Sequence, residues 1–370
     1  MTEQKKQILL VFGGASPEYE VSCESAASVV NAISRDKYNV HCVGVTRDGE
    51  WFLTKAAPAE IRDSRSWMER KDNKKAILSP DRAHKGLLVL EENGWSLIHI
   101  DGIFPMVHGE TGEDGMLPGL FELAGIPYVG SGLCASACGM DKTVTMLFAD
   151  LCGIKRPEYF SCGTAKFRRN PKREVDNCIS FFQNKIGHAF PLFVKPATTG
   201  SSVGISKVED RDELLASMTE AARYSSCLIV EENIVGRELK VAILGTDGVR
   251  TGDICEIMLE GNIFNSYTMK YSGSGAHKII PADLPAEKTE EIKQAAVDIY
   301  KRLGCEGYAR VDFFLKDNGD IYFNEINTVP GFSSHSIYPL MLKSVGISYE
   351  ELVDSMLEAA FESSGKNSMS

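Results

Sequence analysis

The sequence predicts an α/β protein of two or three domains, with an open parallel sheet in the first third of the chain. Its 370 residues are 43% hydrophobic and 25% charged, which is ordinary for a globular protein but long for a single core. Apolar strand-like runs alternate with segments of helical spacing, and turn residues follow the strands. In such sheets, ligands usually bind where the strands end.

The first third of the chain supplies the strands and helices of the predicted open sheet. Ile8–Phe12 is a wholly apolar run, and Gly13–Ser16 is the turn that follows it. Ser22–Ile33 has the apolar spacing of a helix. The next predicted strands are Tyr38–Val45 and Leu97–Val107, which would complete the parallel part of the sheet.

Two further units follow along the chain. A helix is predicted at Asp141–Leu151, and strands at Pro191–Pro196 and Cys227–Glu232. A third unit begins near Val235 and continues to the end of the chain. We therefore expect three domains, at residues 1–139, 140–234 and 235–370.

Composition and charge argue against several classes of protein. The net charge of −11 argues against nonspecific binding of nucleic acid. No apolar run approaches the roughly 20 residues that span a bilayer, and the opening segment is too short for a signal peptide. The ten cysteines lack the spacing of zinc ligands, which favours reduced thiols. We expect a cytoplasmic protein with no membrane or nucleic-acid partner.

The most informative feature is a predicted hairpin near the end of the chain. Ala309–Leu315 and Ile321–Asn327 read as strands, and Lys316–Asp320 reads as the turn between them. Side chains alternate between faces along a strand, so Glu325 and Asn327 share a face, and Asp312 can meet them from the other strand. Oxygen ligands of this kind suit Mg²⁺. An isolated pattern of this type is also compatible with ordinary surface acids on a solvated hairpin.

A glycine- and hydroxyl-rich loop between two strands, Lys195–Ile205, can hold phosphate groups. Gly200 and Gly204 permit close approach of the backbone, whose amides can surround phosphate oxygens. Lys195 adds a positive charge at the strand end. The loop is neither GxxxxGK[ST] nor GxGxxG, so alone it is equally compatible with a hairpin turn. Lys142, taken alone, reads as a lysine on a helix surface.

Other polar residues stand where strands end. Glu231 and the residues up to Ile234 can contact an adenine ring, and Glu238 can accept hydrogen bonds from ribose hydroxyls. His108–Gly115 combines a histidine, three acids and three glycines, a composition typical of a binding loop. Each of these is also compatible with a strand-end acid or a solvated turn.

Together these motifs resemble the D-alanine–D-alanine ligases of the ATP-grasp superfamily. The resemblance covers nearly the whole chain, and the order of the motifs carries it, since each alone is weak to moderate. The motifs are GGASPEYEVS (Gly13–Ser22), HGETGEDG (His108–Gly115), MDK (Met140–Lys142), KP with GSSVGI (Lys195–Ile205), Lys270-Tyr271, RVDF (Arg310–Phe313) and EINTVPGFSSHSIYP (Glu325–Pro339).

The resemblance implies an ATP-grasp fold of three α/β domains, with the nucleotide bound between the central and C-terminal domains. It implies that ATP phosphorylates the carboxylate of a first D-alanine and that the amine of a second D-alanine attacks the acyl phosphate. The product, D-alanyl-D-alanine, is a peptidoglycan precursor. The family also implies a homodimer.

The resemblance assigns nucleotide and metal roles to individual residues. Two Mg²⁺ (or Mn²⁺) ions are implied at Asp312, Glu325 and Asn327. The implied ATP-binding residues are Lys142, Lys195, Ser201, Ser202 and Val203 at the phosphates, Glu231, Glu232 and Ile234 at adenine, and Glu238 at the ribose.

The resemblance also assigns the amino-acid substrates. Glu18 is implied to anchor the ammonium of the first D-alanine, with His108 nearby. Arg310 and the Gly331 amide are implied to stabilise the tetrahedral centre. The remaining roles are carboxylate binding by Lys270 and Ser336, an apolar pocket at Ile337, and closure of a loop by Tyr271 towards Ser201 and Glu18.

Several alternatives remain open from the sequence. Lys270-Tyr271 disfavours D-lactate as second substrate, whereas a D-alanine–D-serine ligase of the resistance type is the nearest competitor, because one hydroxyl is worth only ~1–3 kcal/mol in an apolar pocket. Another ATP-grasp ligase would not keep the HGETGEDG loop and the SHSIYP ending together. A silent homologue would be expected to lack Lys195, Arg310, Asp312 or Glu325, and all four are present.

Overall fold

The computed structural model describes residues 4–200, 203–259 and 276–367, and three sheets follow one another along the chain. The first sheet has seven strands. The elements up to residue 140 are β1 (Lys6–Gly13), α1 (Tyr19–Ala32), β2 (Tyr38–Val45), β3 (Trp51–Thr54), α2 (Pro58–Arg62), β4 (Lys74–Leu78), β5 (Gly86–Glu91), β6 (Gly94–His99), β7 (Gly102–Met106), α3 (Met116–Ala124) and α4 (Leu133–Met140).

The first sheet is open, but only part of it is parallel. Its order is β6-β5-β4-β3-β2-β1-β7, and β1 pairs in parallel with both β2 and β7. The other neighbours, from β2 to β6, pair antiparallel. Of the parallel strands, β1 and β2 were predicted as separate strands and β7 only as part of a longer one, and β3 to β5 were not predicted.

The prediction of one strand at Leu97–Val107 is wrong. Two strands occupy this segment, β6 and β7, and they lie at opposite edges of the sheet. Asp101 forms the break between them, because its carboxylate accepts from the Gln7 amide at 2.6 Å and its own amide donates to the Gln7 carbonyl at 2.8 Å. These bonds hold the chain where it enters β7, next to β1.

The central position of β1 explains its uninterrupted apolar sequence. Ile8, Leu10 and Phe12 pack into a cluster that includes α1, while Leu9 and Val11 pack into the cluster on the other face. A strand covered on both faces must be apolar throughout, as expected inside a parallel arrangement.

The second sheet has four antiparallel strands in the order β10-β9-β11-β8. The hairpin of β9 and β10 carries the predicted phosphate loop. The elements from 142 to 232 are α5 (Lys142–Leu151), β8 (Tyr159–Gly163), α6 (Thr164–Arg169), α7 (Pro171–Ile186), β9 (Leu192–Pro196), β10 (Ser206–Val208), α8 (Arg211–Ala221) and β11 (Cys227–Glu232).

The third sheet contains the predicted metal hairpin. Its order is β15-β14-β12-β16-β17, and β13 pairs with β12. The elements from 237 onwards are β12 (Arg237–Leu244), β13 (Arg250–Thr251), β14 (Cys255–Leu259), β15 (Ala276–Ile279), α9 (Ala286–Leu303), β16 (Tyr308–Leu315), β17 (Ile321–Asn327), α10 (Ile337–Ser344) and α11 (Tyr349–Asn367).

The helix α5 packs against the third sheet, although it precedes the second sheet in the chain. Met146 and Ala149 lie in one apolar cluster with Ile299 of α9 and Val311 of β16. The strands of the three sheets fall, in order, within the predicted ranges 1–139, 140–234 and 235–370, and this division of the chain stays a prediction.

Two further observations concern the expected cellular class. All ten cysteines are free thiols, in keeping with the expectation of reduced cysteines. Across residues 4–200, 203–259 and 276–367, no helix is both long and apolar enough to cross a membrane.

Candidate active site

The hairpin of β16 and β17 brings the predicted metal residues together. Asp312 lies directly opposite Glu325, and Arg310 lies opposite Asn327. Arg310 binds Asp312 through both nitrogens of its fork, Nε to Oδ1 at 2.7 Å and Nη2 to Oδ2 at 2.9 Å. Asn327 Nδ2 lies 3.5 Å from Glu325 Oε1, and Arg310 Nη2 lies 3.9 Å from the same oxygen. The predicted strand faces and pairing are therefore confirmed.

Asp312 is fully buried, and cations keep it ionised. Burial alone raises the pKa of a carboxyl, but the Arg310 guanidinium and the Lys240 ammonium outweigh burial and hold the pKa of Asp312 well below its ordinary value. Lys240 Nζ lies 2.7 Å from Asp312 Oδ2 and 2.6 Å from Glu238 Oε1. Lys240 is not recognisable from the sequence, because only the pairing of β12 with β16 places it opposite Asp312.

Two predicted phosphate-binding lysines lie beside the loop between β9 and β10. Lys142 is buried at the start of α5, and its ammonium donates to the Thr199 carbonyl at 2.6 Å. Burial lowers the pKa of Lys142, and the Glu325 carboxylate opposes this shift. Lys195 on β9 pairs with Glu231 on β11 at 2.5 Å. Both ammonium groups are thus held by acceptors of the protein.

The predicted adenine and ribose residues differ in their present partners. Glu231 is buried, and its Oε1 has no hydrogen-bond partner among the described residues. Glu232 is bound to the backbone of Glu158. The Glu232 amide donates to the Glu158 carbonyl at 2.9 Å, and the Glu158 amide donates to the Glu232 carboxylate at 3.1 Å. Ile234 is half-buried just beyond β11, and Glu238 accepts from Lys240.

The first-substrate residues lie where β1 and β7 end. Ser16 Oγ donates to the His108 carbonyl at 2.8 Å and accepts from the Glu18 amide at 3.2 Å, so these two predicted residues are linked through one hydroxyl. Gly109 has a φ of +72°, and a Cβ there would lie 2.7 Å from Glu18 Oε2. A side chain at position 109 would therefore displace the Glu18 carboxylate.

His108 links the helix α1 to the segment after β17. Its Nδ1 lies 2.7 Å from the Val329 carbonyl, and its Nε2 lies 3.1 Å from Ser25 Oγ. Burial lowers the pKa of His108, which favours the neutral ring. In that ring Nδ1–H donates to Val329 and Nε2 accepts from Ser25, whose oxygen in turn accepts from the Phe332 amide at 3.1 Å. His108 therefore positions the loop that carries Gly331.

The second-substrate residues lie on that loop and at the start of α10. Ser336 precedes the helix, and its Oγ accepts from the Ser333 amide at 3.0 Å. A Cβ on Gly331 would lie 3.4 Å from Ser336 Oγ, so the two predicted residues are neighbours. Ile337 is partly buried and packs against the large apolar cluster that contains α1.

One cavity is lined by residues from three of the predicted groups: first substrate, phosphate and metal. Its lining includes Glu18 and Gly109 from the first-substrate loops, Lys142 and Gly200 from the phosphate side, and Glu325 and Asn327 from the metal hairpin. A Cβ on Gly200 would lie 3.4 Å from Glu18 Oε2, which brings the amino-acid and phosphate sides together. Among described residues, Glu231, Ile234 and Glu238 do not contribute to this lining. The predicted residues Ser201, Ser202, Lys270 and Tyr271 lie outside the described residues.

The residues of the hairpin fit a divalent cation of the Mg²⁺ type. Two carboxylates and an amide oxygen are hard ligands, and the side chains of Glu325 and Asn327 meet at the cavity. Within the described part of the chain, no cluster of three or more His, Cys, Asp or Glu side chains has the arrangement of a metal site. A site of two acids and an amide does not require such a cluster.

Glu113 was part of a predicted motif but was not identified as a site residue. It lines the same cavity, and its Oε1 accepts from the Gly109 amide at 2.9 Å. Burial, followed by the nearby Glu18 carboxylate, raises the pKa of Glu113 to about 8. The raised pKa favours the neutral form of Glu113 near neutral pH, next to the Glu18 carboxylate.

Comparison with known proteins identifies the family. The family described as "D-ala D-ala ligase N-terminus" matches residues 7–131, and "D-ala D-ala ligase C-terminus" matches residues 148–358. The chain belongs to the D-alanine–D-alanine ligase family. The predicted resemblance is thereby confirmed over most of the chain.

Individual relatives and solved structures agree with this family. A D-alanine–D-alanine ligase of Acetivibrio thermocellus is 40% identical, with 97% of this chain and 96% of the relative covered. The vancomycin B-type resistance protein VanB of Enterococcus faecalis is 37% identical, with 97% of this chain and 99% of the relative covered.

Solved structures of the family share the fold. The VanG D-Ala:D-Ser ligase of Enterococcus faecalis has a TM-score of 0.86 at 38% identity, covering 96% of this chain and all (100%) of that chain. The D-alanine–D-alanine ligase of Coxiella burnetii has a TM-score of 0.84 at 29% identity, covering 99% and 96%. The predicted ATP-grasp fold is confirmed.

Glu113→Gln is expected to flatten the pH dependence of stability. The carboxyl keeps its proton in the folded protein up to about pH 8, whereas its ordinary pKa is 4.5. Between these values the folded state binds more protons than the unfolded state, so the free energy of unfolding falls as pH rises. Thermal unfolding of the ligand-free protein over this range measures the slope.

The matched control is Glu110→Gln, which changes an exposed acid in the same loop. It should keep the wild-type slope. A Glu113→Gln variant with the wild-type slope would mean that Glu113 is already ionised in the folded protein below pH 8.

Proposed function

We propose that this chain joins two molecules of D-alanine into D-alanyl-D-alanine at the expense of ATP, through an acyl phosphate. The observation that carries the proposal is the shared cavity, in which Glu18 lies beside the phosphate loop and faces the metal hairpin. Forming an acyl phosphate requires an amino-acid carboxylate to meet the terminal phosphate of ATP. The convergence of the acid assigned to the ammonium with Lys142 and the phosphate loop provides that meeting point.

ATP is assigned to the groove between the second and third sheets. Lys142, Lys195 and the loop with Ser201, Ser202 and Val203 would bind its phosphates. The buried, unpartnered Oε1 of Glu231 supports an acceptor role towards the adenine amino group. Glu232 and Ile234 would flank the base, and Glu238 would accept from the ribose hydroxyls.

Asp312, Glu325 and Asn327 would hold two Mg²⁺ or Mn²⁺ ions. When bound, such ions neutralise charge on the phosphates during transfer. The protein itself holds these oxygens in position. Arg310 binds both oxygens of Asp312, and Asn327 lies next to Glu325 on the same strand, β17.

The first D-alanine would bind with its ammonium at Glu18, near His108. The raised pKa of Glu113 supports this assignment, because a neutral Glu113 does not compete with Glu18 for the ammonium. One carboxylate oxygen attacks the terminal phosphorus of ATP, and the bond to the bridging oxygen breaks to release ADP. The resulting acyl phosphate is the activated form of the first substrate.

The second D-alanine would bind with its carboxylate at Ser336 and Lys270 and its methyl group near Ile337. Its neutral amine attacks the acyl carbon, and the tetrahedral centre collapses with loss of phosphate. Arg310 and the Gly331 amide would stabilise the oxyanion. Tyr271 would close the site towards Ser201 and Glu18, which excludes the water that hydrolyses acyl phosphates.

A cytoplasmic enzyme of peptidoglycan precursor synthesis, active as a homodimer, is the biological setting that we propose. The domains would be residues 1–139, 140–234 and 235–370. Its partners would be D-alanine and ATP, with neither nucleic acid nor membrane involved. D-alanine–D-serine ligation is the second candidate, because the VanG D-Ala:D-Ser ligase is 38% identical and has a TM-score of 0.86 to this fold.

Glu325→Gln tests the metal assignment. The change removes one formal charge at the cavity and should lower turnover on the order of 100-fold or more at saturating Mg²⁺, with the fold intact. Steady-state release of ADP measures it. Asp317→Asn removes the same charge from the exposed turn of the same hairpin and should leave turnover unchanged. Near-normal turnover of folded Glu325→Gln would remove Glu325 from the site.

Arg310→Met tests the oxyanion role. Loss of one preorganised donor costs ~3–4 kcal/mol of transition-state stabilisation, so kcat should fall by about 10²–10³ while the KM for ATP changes far less. Arg302→Met, an exposed arginine on α9, is the control. A variant whose main defect is a raised KM for ATP would identify Arg310 as a phosphate ligand instead.

Ile337→Arg tests the choice of second substrate. A guanidinium can pair with a hydroxyl and a carboxylate, so the product balance should move from D-alanyl-D-alanine towards D-serine or D-lactate products. Mass spectrometry of products from equimolar acceptors gives the ratio. Val345→Arg, at the exposed far end of α10, should keep the wild-type ratio.

The wild-type protein should make mainly D-alanyl-D-alanine and negligible D-lactate product at neutral pH. Mainly D-alanyl-D-serine from an equimolar mixture would overturn the specificity and leave the ligase activity standing.

A further inference from the structure

Lys240 connects two carboxylates to which different roles are assigned. It lies on β12, directly opposite Asp312 in the pairing with β16, and its side chain is only 6% exposed. Its ammonium is 2.7 Å from Asp312 Oδ2 and 2.6 Å from Glu238 Oε1. One cation therefore joins the carboxylate assigned to the metal with the carboxylate assigned to the ribose.

Lys240 is one of two cations that bind Asp312. Arg310 already binds both of its oxygens and balances its charge. Lys240 is a second cation on the same carboxylate, and it shares Oδ2 with Arg310. Desolvating a lysine is costly, and a buried ion pair is weak evidence for a role in stability. Lys240 is therefore placed to act on ligand binding as well as to hold the Asp312 carboxylate in position.

The position of Lys240 opposes a metal ion in two ways. A divalent cation on Asp312 must share Oδ1 with Arg310, or share Oδ2 with both Arg310 and the ammonium. It must also approach a fixed positive charge in a site with little solvent, where like charges repel more strongly than in water. Nucleotide phosphates change this balance, because they bring negative charge and further oxygen ligands.

We propose that Lys240 is a positioning residue that opposes binding of divalent metal at Asp312 in the free enzyme, so that the metal binds together with the nucleotide. This inference rests on the metal role of Asp312 in the proposed function. The Lys240 ammonium also binds Glu238, the residue assigned to the ribose. Nucleotide and metal would therefore both act on Lys240. Linkage then requires ADP to strengthen metal binding by the same factor by which metal strengthens ADP binding.

The test measures metal binding rather than activity. Full-length protein is titrated with Mn²⁺ without nucleotide, and free Mn²⁺ is followed by electron paramagnetic resonance. Lys240→Met should bind Mn²⁺ at least ~10-fold more tightly than wild type, and the strengthening of Mn²⁺ binding by ADP should shrink by a similar factor. Calorimetry of ADP binding with and without Mn²⁺ gives the reciprocal measurement.

Three further variants separate charge from structure. Lys240→Gln removes the charge but keeps a donor for Asp312, and it decides the question if Lys240→Met does not fold. Lys240→Arg keeps the charge and should bind Mn²⁺ as weakly as wild type. Lys293→Met removes a largely buried lysine on α9 that lies 3.7 Å from Asp253, and it should leave Mn²⁺ binding unchanged.

Two outcomes would overturn different statements. If Lys240→Met and Lys240→Gln bind Mn²⁺ no more tightly than wild type, while Glu325→Gln abolishes the binding, the inference about Lys240 is wrong and the metal site stands. If Glu325→Gln leaves Mn²⁺ binding unchanged in both the wild-type and the Lys240→Met background, the metal assignment itself is wrong.

Discussion

The buried carboxylate of Asp312, held between Arg310 and Lys240, is the interaction on which the catalytic edge of the third sheet depends. A carboxylate without solvent is tolerated only when fixed partners replace its water. Both partners come from strands, Arg310 from the same strand and Lys240 from the next one. Their geometry is therefore set by strand pairing, and it cannot relax without disturbing the sheet.

Side chains alternate between the two faces of β16, and this alternation further restricts the position of Asp312. On β16, Val311 and Phe313 point into the apolar cluster covered by α5 and α9, while Arg310 and Asp312 lie on the other face, opposite Asn327 and Glu325. A slip of one residue would bury two charges in that cluster and expose two apolar side chains. Core packing and electrostatics thus select the same register, and Glu325 reaches Asp312 as a result.

Much of this hairpin was predictable, because local sequence determines it. The turn at Lys316–Asp320 and the alternation of the flanking strands predicted both strands and the face shared by Asp312, Glu325 and Asn327. Lys240 could not be identified in the same way. The residues around Lys240 have the sequence of an ordinary strand. Only the pairing with β16 shows that Lys240 lies opposite Asp312.

The first sheet shows the same limit. From Ile8 onwards β1 is buried on both faces and was predicted, whereas β6 is exposed along nearly all of its length although it carries Trp95, Leu97 and Ile98. The apolar residues of β6 are followed at once by those of β7, so the two strands were predicted as one. The bonds of Asp101 to Gln7 mark the break between them.

The bonds of His108 to Val329 and of Ser25 to Phe332 limit how this enzyme can be recombined with its relatives. The loop that contains His108 and the segment that contains Gly331 and Ser336, to which we assign the first and second substrates, come from distant parts of the chain. Hydrogen bonds join them into one unit. A chimaera that takes its C-terminal half from a relative of different acceptor preference imports only one side of that unit. Exchange of acceptor specificity between homologues is therefore best made by transplanting α1, the His108 loop and the segment after β17 together.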